Sequence, residues 1–411
     1  MMKSGWKYVL IALVTAVSCV DRSYGGMQDE EIFVDTTEPI PVKTYIGSAE
    51  TILPKGSGVI EDPREWDENA KFFIYAFNNN MFTSYRVTSK TDGYSCLIDG
   101  SRDVQGTLAG KKAYLDPTSN VVLWSGPDEQ VIYPYGTESG IVYDFFAYYV
   151  DDIVIEESDI TRGDDNVTIQ IEIDGSQDVM SSKARVLEDQ LVGFLDEDER
   201  LEMEGYCYGY HAAKKGIDPV FIFKHHLTKL NFKIKPGYNS TGQRKVEIHK
   251  IEVRSRYDAQ FTVADKGSTD NLGLVFNDSS YVDMTVREDD GREFAEGRYV
   301  VTTLATSSSI GSVTEVGRSL LVAPADRYDA YVYMTETYMD GTPVRPGDET
   351  VEKVQMDILN PEGFAPGNGY EVSISVYGST KIETDVTLVD WNDGGKIPID
   401  DEDRWGNDGE F

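Results

Sequence analysis

The stretch PVFIFKHHLTKLNFKI, residues 219–234, carries the strongest β-pattern in the 411-residue chain. Phe221, Phe223, His225 and Leu227 alternate in one phase. Leu230, Phe232 and Ile234 then alternate in the opposite phase. Side chains of a strand point alternately to its two faces, and one extra residue reverses that alternation. The pattern therefore predicts one long, half-buried strand with an extra residue near Thr228 or Lys229.

Strand-like segments lie on both sides of this stretch, and helical periods are few. KFFIYAF (71–77), IVYDFFAYYV (141–150) and VTIQIEI (167–173) precede it, and a series from VEIHKIEV (246–253) to 381–388 follows at the close turn spacing of a β-sandwich. KFFIYAF is apolar at nearly every position, so we expect it at the centre of a sheet. The sequence therefore predicts an all-β protein.

Length and charge narrow the class of protein. A chain of 411 residues exceeds one hydrophobic core, so we expect two domains of roughly 150 to 200 residues, at 19–216 and 217–411. The 38 basic and 72 acidic residues give a net charge of −34. Because such a surface repels nucleic acid and anionic lipid, we predict no nucleic-acid partner.

The N-terminus has the pattern of a secretory signal peptide. Lys3 and Lys7 precede an apolar run at 8–17, which is too short to span a bilayer. We therefore predict a signal peptide at 1–18. The small residues before Cys19 resemble the bacterial lipoprotein box, in which the cysteine carries lipid. The alternative is an ordinary signal cleavage beside an incidental cysteine.

Cysteines and histidines give no metal or cofactor site. Cys96 and Cys207 are an even pair in an oxidising compartment, so a disulfide and two buried thiols are both compatible with the sequence. No CxxC motif occurs, and the histidines have no cysteine at ligand spacing. We predict neither a metal nor a cofactor.

Motifs of the common catalytic sites are absent from the sequence, which has no GxSxG, HExxH or GxxxxGK[ST]. Adjacent strand residues face opposite sides, so we expect one of His225 and His226 in the core and the other in solvent. The protein is therefore predicted not to be an enzyme. A histidine beside a serine in a cleft, which only coordinates can reveal, would indicate an undetected hydrolase.

Several short segments occur in a consistent order over nearly the whole chain. They are the lipoprotein box at Cys19, IYAF (74–77), DFFAYY (144–149), IDGSQDVM (173–180), FKHHLTKLNFKI (223–234), SLLVAPAD (319–326), and GNGYEVSISV (367–376) through VTLVDWNDGG (386–395). Together they resemble the fimbrillin family, the type V pilins and related lipoproteins of Bacteroidales-type bacteria. The chain departs from the family in lacking a proline after DFFAYY and in its long tail after Trp391.

The resemblance implies two transthyretin-like β-sandwich domains in tandem, in a structural subunit of cell-surface fimbriae that contributes to adhesion. In the family, the subunit reaches the outer membrane as a lipoprotein, held by lipid that would be attached here to Cys19. An Arg- or Lys-specific protease removes the first strand, and the C-terminal strand of a neighbouring subunit fills the groove. The implied partners are therefore other fimbrial subunits, the processing protease and outer-membrane lipid.

Carried onto this sequence, the removed segment would lie within 27–70, which is polar and loop-like apart from a short strand candidate at 32–34. The cleavage candidates are Arg64, Lys55 and Lys43. Arg64 is favoured because it is the only arginine of the three. The alternative is that nothing is cut and that these basic residues only keep a loop soluble.

The donor strand implied by the resemblance is 381–391. Three aliphatic side chains share one face of this strand, with a threonine between them, and the strand ends at a tryptophan. These residues are Ile382, Thr384, Val386, Leu388 and Trp391.

A second hypothesis is a surface-anchored lipoprotein that binds glycans. The 25 tyrosines and 5 tryptophans suggest it, because aromatic rings stack on sugars. Most of these tyrosines lie within strand patterns, where packing explains them.

Overall fold

The computed structural model describes residues 38–46, 71–79, 83–91, 93–103, 106–116, 121–124, 130–151, 153–186, 208–309, 311–344 and 351–389. Within them the chain forms strands joined by turns, with one short helix, α1 (Tyr210–Lys214), and 3-10 turns at Gly136–Glu138, Glu157–Asp159 and Thr269–Asn271. None of these helices is long and apolar enough to cross a membrane. The predicted all-β class is confirmed.

The strands of the described residues, in chain order, are β1 (Tyr45–Ile46), β2 (Lys71–Asn78), β3 (Cys96–Ile98), β4 (Lys111–Leu115), β5 (Val122–Trp124), β6 (Val142–Val150), β7 (Ile160–Arg162), β8 (Asn166–Glu172), β9 (Val179–Lys183), β10 (Tyr208–Gly209), β11 (Val220–Phe221), β12 (Lys224–His225), β13 (Thr228–Pro236), β14 (Lys245–Arg256), β15 (Asp258–Asp265), β16 (Gly273–Phe276), β17 (Tyr281–Thr285), β18 (Val300–Thr302), β19 (Thr314–Val322), β20 (Ala325–Thr337), β21 (Glu352–Phe364), β22 (Gly369–Gly378) and β23 (Lys381–Val389).

The N-terminal sheet has the strand order β12-β9-β6-β2-β4-β5, with β10 beside β6 and β3 beside β2. Its central strands, β2 and β6, are antiparallel. The side chains of β2 are buried on both faces, with Phe72 and Ile74 on one and Tyr75 and Phe77 on the other. The prediction that KFFIYAF lies at the centre of a sheet is confirmed.

A second sheet, which we call the shared sheet, has the order β16-β15-β8-β7. It covers one face of the N-terminal sheet, where the rings of Tyr148 in β6 and Phe261 in β15 meet edge to face with centroids 5.8 Å apart. β7 and β8 precede residue 217, whereas β15 and β16 follow it. Strands from both sides of the predicted boundary therefore build one sheet, and a division into domains at residue 217 stays a prediction.

Two further sheets face each other in the C-terminal half. The β22 sheet has the order β19-β13-β22-β23, and the β14 sheet has the order β17-β14-β20-β21 with β18 beside β14. Leu230 and Phe232 of β13 and Ile251 and Val253 of β14 are buried in the core between them. This half is a β-sandwich, and the transthyretin-like type of the two tandem domains stays a prediction.

The chain passes from the β14 sheet into the shared sheet almost without a break. β14 ends at Arg256 and β15 begins at Asp258. The single residue between them, Tyr257, donates its amide to the carbonyl of Ser280 at 3.3 Å and accepts the amide of Ile173 at 2.9 Å. One nearly continuous strand therefore contributes to both halves of the molecule.

The stretch 219–234 does not form the single long strand that its pattern predicts. It is divided into β11, β12 and β13, which pair respectively with β1, with β9 of the N-terminal sheet, and with β19 and β22 of the β22 sheet. The phase of the alternation changes near Thr228 because the chain passes there from one sheet to another. β12 and β13 therefore bury side chains of opposite phase, each in the sheet to which it belongs. A register shift does occur, but between Leu230 and Phe232 in the pairing with β19.

Candidate functional site

Residues 38–46, which we call the docked segment, run as an extended segment over the second face of the N-terminal sheet. This part of the chain was predicted to be loop-like, and within it only Tyr45 and Ile46 form a strand, β1, but the segment is packed against the sheet. Its inward side chains come at every second position and are Ile40, Val42, Thr44 and Ile46. Val42 is 4% exposed and Ile46 is 2% exposed, and both join the buried cluster on that face, whereas Lys43 between them points to solvent.

Backbone hydrogen bonds hold the docked segment along both edges. On one side, the amide of Val42 donates to the carbonyl of Val131 at 2.7 Å. On the other side, the amide of Tyr45 donates to the carbonyl of Pro219 at 3.0 Å, and β1 continues as a parallel partner of β11. The segment therefore has a hydrogen-bonded neighbour on each side, as an inner strand of a sheet does.

Polar groups in the groove beneath the docked segment are imperfectly matched. The hydroxyls of Thr44 and Tyr133 are buried and have no hydrogen-bond partner among the described residues. Burial raises the pKa of Asp218 to about 6, and the nearby charge of Lys43 offsets only part of that effect. An unmatched buried hydroxyl costs about 1 to 3 kcal/mol. Because of the hydroxyls of Thr44 and Tyr133, the docked segment is held less tightly than its apolar contacts alone indicate.

The predicted donor strand is β23, an edge strand of the β22 sheet. It pairs antiparallel with β22 along its length. Ile382 and Val386 pack against the main core, and the hydroxyl of Thr384 donates to the carbonyl of Asp357 at 2.7 Å. Leu388, which has the same strand phase, is 40% exposed. The aliphatic face of β23 is thus only partly buried in its own subunit.

Several predicted site residues lie outside the described residues. These are Cys19, the strand candidate at 32–34, Lys55, Arg64, Cys207 and Trp391. Of the cleavage candidates, Lys43 alone is described, and it lies within the docked segment. The lipid attachment, the cleavage position and the donor role of β23 therefore stay predictions.

Cys96 is a free, buried thiol in the structure. Burial raises the pKa of this thiol above its ordinary value, and the charge of Asp99 adds to the effect. The guanidinium of Arg162 donates to its sulfur at 3.7 Å. Since Cys207 lies outside the described residues, a disulfide between the two cysteines stays a prediction.

A histidine does lie beside a serine, at Ser181 and His226. The Ser181 Oγ and the His226 Nε2 are 2.7 Å apart, and burial lowers the pKa of His226 to about 4. Ser181 is only 2% exposed, and neither residue lines the cleft of about 940 Å³ around Arg256 and Tyr328. Because the serine is buried, we interpret this pair as a structural contact between β9 and the end of β12.

His225, the neighbour of His226, is buried and lies 2.6 Å from a carboxylate oxygen of Asp178. Over the described residues, no group of three His, Cys, Asp or Glu side chains is placed to hold a metal ion. Tyrosines account for most of the largest fully buried side chains, including Tyr75, Tyr148 and Tyr210. Packing therefore explains much of the tyrosine content that suggested glycan binding.

Comparisons with known proteins found similar solved structures at low sequence identity. No family model and no curated protein matches the sequence. The structural neighbours are fimbrial and proposed cell adhesion proteins. A proposed cell adhesion protein from Bacteroides ovatus and a fimbrial protein from Bacteroides vulgatus each have 12% identity and a TM-score of 0.40. They match over 87% and 86% of this chain and 100% and 99% of their own.

The fimbrial anchor protein Mfa2 from Porphyromonas gingivalis has 12% identity and a TM-score of 0.27, over 86% of this chain and 99% of its own. These neighbours are of the kind that the sequence resemblance indicates. Identities and TM-scores at this level do not establish a function, which has to be argued from the chain itself.

Proposed function

We propose that the protein is a structural subunit of cell-surface fimbriae, exported as an outer-membrane lipoprotein through Cys19 and assembled by strand exchange. The docked segment carries the proposal. It is an extended segment that ends in β1, with backbone partners at 131–133 on one edge and at β11 on the other. It fills an apolar groove with alternate side chains, and it precedes Lys55 and Arg64 in the chain. A cut after either residue separates the docked segment from the body of the protein.

Cleavage after Lys43 fits the proposal less well. A cut there would leave Thr44, Tyr45 and Ile46 in the groove, where Tyr45 is already bonded to Pro219. Arg64 and Lys55 lie beyond the groove-filling residues, so a cut at either frees all four inward side chains. This geometry favours the two later candidates for the processing protease.

Loss of the docked segment opens a site for a second strand. The amides and carbonyls that it satisfied, in 130–133 and beside β11, would lose their partners, and the apolar face beneath it would meet water. An added strand satisfies both needs at once, because its backbone completes the hydrogen bonds and its alternate side chains fill the groove.

β23 of a neighbouring subunit matches the docked segment in residue type when the two are aligned in opposite directions. The inward residues of the docked segment, taken from its C-terminal end, are Ile46, Thr44, Val42 and Ile40. One face of β23, taken from its N-terminal end, presents Ile382, Thr384, Val386 and Leu388. The donor would therefore enter antiparallel to the segment that it replaces. In that alignment Thr384 takes the position that Thr44 occupied.

Exchange also improves the hydrogen bonding of β23. Among the described strands of its own subunit, β23 is an edge strand with one backbone partner, β22. In the groove it would have partners on both edges, as the docked segment has. The second edge and the burial of Leu388 offset the cost of leaving β22.

The test is assembly of the purified chain after trimming with an arginine-specific protease. We expect multimers from the trimmed chain and monomers from the intact chain. Leu388→Asp should block assembly and leave the thermal unfolding of the monomer nearly unchanged, because Leu388 is 40% exposed in the monomer. Val154→Asp changes a valine that is 79% exposed and far from either strand in sequence, and this control should assemble normally.

Two results would count against the proposal. A trimmed chain that stays monomeric under all conditions would exclude polymerisation, and a Leu388→Asp chain that assembles normally would exclude β23 as the donor. Intact-mass analysis with N-terminal sequencing of the protein recovered from cell surfaces gives an independent check. A mature chain that begins after Arg64 or Lys55 supports processing, whereas one that begins at a lipidated Cys19 indicates a subunit that keeps its first strand.

A further inference from the structure

Three polar side chains meet on the face of the N-terminal sheet that the shared sheet covers. Asp144 lies in the central strand β6, Lys183 lies in β9 on one side, and Asn79 directly follows β2 on the other. The Nζ of Lys183 is 3.3 Å from the Oδ1 of Asp144. The Nδ2 of Asn79 donates to the same oxygen at 3.4 Å. One carboxylate oxygen therefore holds an amine and a carboxamide from the two flanking strands.

The surroundings of these groups exclude most water. Only 10% of the Lys183 side chain and 8% of the Asp144 side chain are exposed, and the Nζ of Lys183 lies 5.3 Å from the centroid of the Phe146 ring. Burial raises the pKa of Asp144, and the charge of Lys183 opposes this effect without cancelling it. Because water is scarce and burial raises the pKa of this carboxyl group, Asp144 can accept a proton from a neighbouring amine.

We propose that the Nζ of Lys183 forms an amide bond with the Cγ of Asn79, and that Asp144 moves the proton. The proposal stands on the shared contact of both groups with one buried oxygen and does not depend on strand exchange. An amine and a carboxamide that both contact one buried carboxylate oxygen supply the three components that transamidation needs: a nucleophile, an electrophilic carbonyl and a proton carrier.

The reaction balances without any further reactant. Asp144 takes a proton from the Lys183 ammonium, and the neutral amine attacks the Cγ of Asn79. The bond between Nζ and Cγ forms and the bond between Cγ and Nδ2 breaks. The leaving nitrogen takes the proton held by Asp144 and the second proton that Nζ gives up, and it departs as ammonium. The Lys183 ammonium and a primary carboxamide thus become a secondary amide and ammonium, with the Asp144 carboxylate regenerated and no change of oxidation state.

The bond would join the two strands that flank β6. It closes a covalent loop from residue 79 to residue 183, which contains β3 to β8 and most of β9. Such a loop restricts the unfolded chain in the way that a disulfide does, but it resists reducing agents. The described residues contain one other buried lysine in close contact with a carboxylate, Lys111, whose Nζ lies 2.5 Å from the Oδ1 of Asp103. Lys111 supplies a matched control.

The experiment is intact-mass measurement of the purified chain, compared with the mass calculated from its sequenced N-terminus, followed by peptide mapping. We expect a mass lower than calculated by one ammonia, about 17 Da, and a branched peptide that contains both Asn79 and Lys183. Lys183→Arg should have the full calculated mass, because a guanidinium is not a nucleophile at neutral pH. Lys111→Arg should keep the deficit.

The peptide map separates the proposal from other modifications. A succinimide at Asn79 also loses ammonia, but it gives a linear peptide and persists in Lys183→Arg, and this result would overturn the proposal. So would a full calculated mass for the unmodified chain, or a deficit of one water that maps to Lys183 and Asp144. The map of the unmodified chain decides the question even if the Lys183→Arg protein does not fold.

Discussion

Replacing both Val42 and Ile46 by alanine should release the docked segment without unfolding the rest of the chain. Both side chains are buried, at 4% and 2% exposed, and both belong to the cluster on the second face of the N-terminal sheet. Truncating a buried aliphatic side chain to alanine costs roughly 2 to 3 kcal/mol at a site of this kind. The two changes together should weaken docking by roughly 4 kcal/mol, which corresponds to about a thousandfold more undocked segment.

Amide hydrogen exchange measures this release directly. The amides of Val42 and Tyr45 donate from the segment, and those of Val122 and Tyr133 donate to it, so all four should exchange faster in the double variant. Lys43→Ala is the matched control, since it alters the same segment on its exposed side. The reasoning fails if these amides exchange no faster than in Lys43→Ala, or if the whole N-terminal sheet loses protection to the same extent.

Three further predictions concern stability. Burial raises the pKa of Asp218 from 3.8 to about 6, so the contribution of this group to stability is greatest below pH 4 and falls by roughly 3 kcal/mol as the pH rises from about 4 to about 6. Asp218→Asn should remove this loss, measured as the difference between urea unfolding at pH 4 and at pH 8. Arg162→Met should cost roughly 3 to 5 kcal/mol in urea unfolding, because it leaves buried Asp99 without the guanidinium 3.4 Å away. Gly100→Ala should lower the free energy of unfolding by more than Gly341→Ala does. An added Cβ at Gly100 falls 2.3 Å from a backbone oxygen, whereas one at Gly341 meets open space. Gly341→Ala should therefore cost only the roughly 1 to 2 kcal/mol of left-handed backbone strain.

Each of these has a control or a contrary outcome. An unchanged pH dependence in Asp218→Asn would mean that this carboxyl group is not the source of the loss. Arg86→Met is the control for Arg162→Met, because it removes an ion pair whose side chains are each 66% exposed. It should cost less than about 1 kcal/mol. A similar cost for Arg162→Met would show that burial does not strengthen the pair of Arg162 with Asp99. Equal costs at the two glycines would argue against the close approach at Gly100.

Much of the fold could be predicted from apolar patterns. β2, β6 and β8 appear within one or two residues of the segments at 71–77, 141–150 and 167–173. These strands lie inside sheets whose covered faces leave a clear pattern in the sequence. The pairing partners could not be predicted in the same way, because alternation specifies which side chains are buried and does not specify by which sheet.

β15 was missed although its sequence carries a signal. Ala259, Phe261 and Val263 alternate with polar residues, but no glycine, proline or asparagine separates this strand from β14. Turn residues are the usual sign that one strand has ended and another begins. A strand that changes sheets without turning gives no such sign.

The docked segment was missed for a related reason. Ile40, Val42, Thr44 and Ile46 do alternate, yet Pro41 breaks the expected strand pattern and the flanking chain is polar. In the structure Pro41 forms only an isolated bridge, with Ile132, so its missing amide is tolerated. Likewise, nothing in the sequence brings Asn79, Asp144 and Lys183 together, since they come from three separate strands.

The passage from β14 to β15 through Tyr257 also sets an order on folding. The shared sheet takes β15 and β16 from beyond residue 257 and pairs β15 with β8, so the first half cannot finish its sandwich until residue 276 has been synthesised. Until then β8 lacks its neighbour β15, which pairs Phe261 with Ile169 and Ala259 with Ile171 in the finished protein. Such long-range pairing slows folding and exposes apolar surface on nascent chains. During synthesis, this protein therefore has to be kept from aggregating until more than half of its length is available.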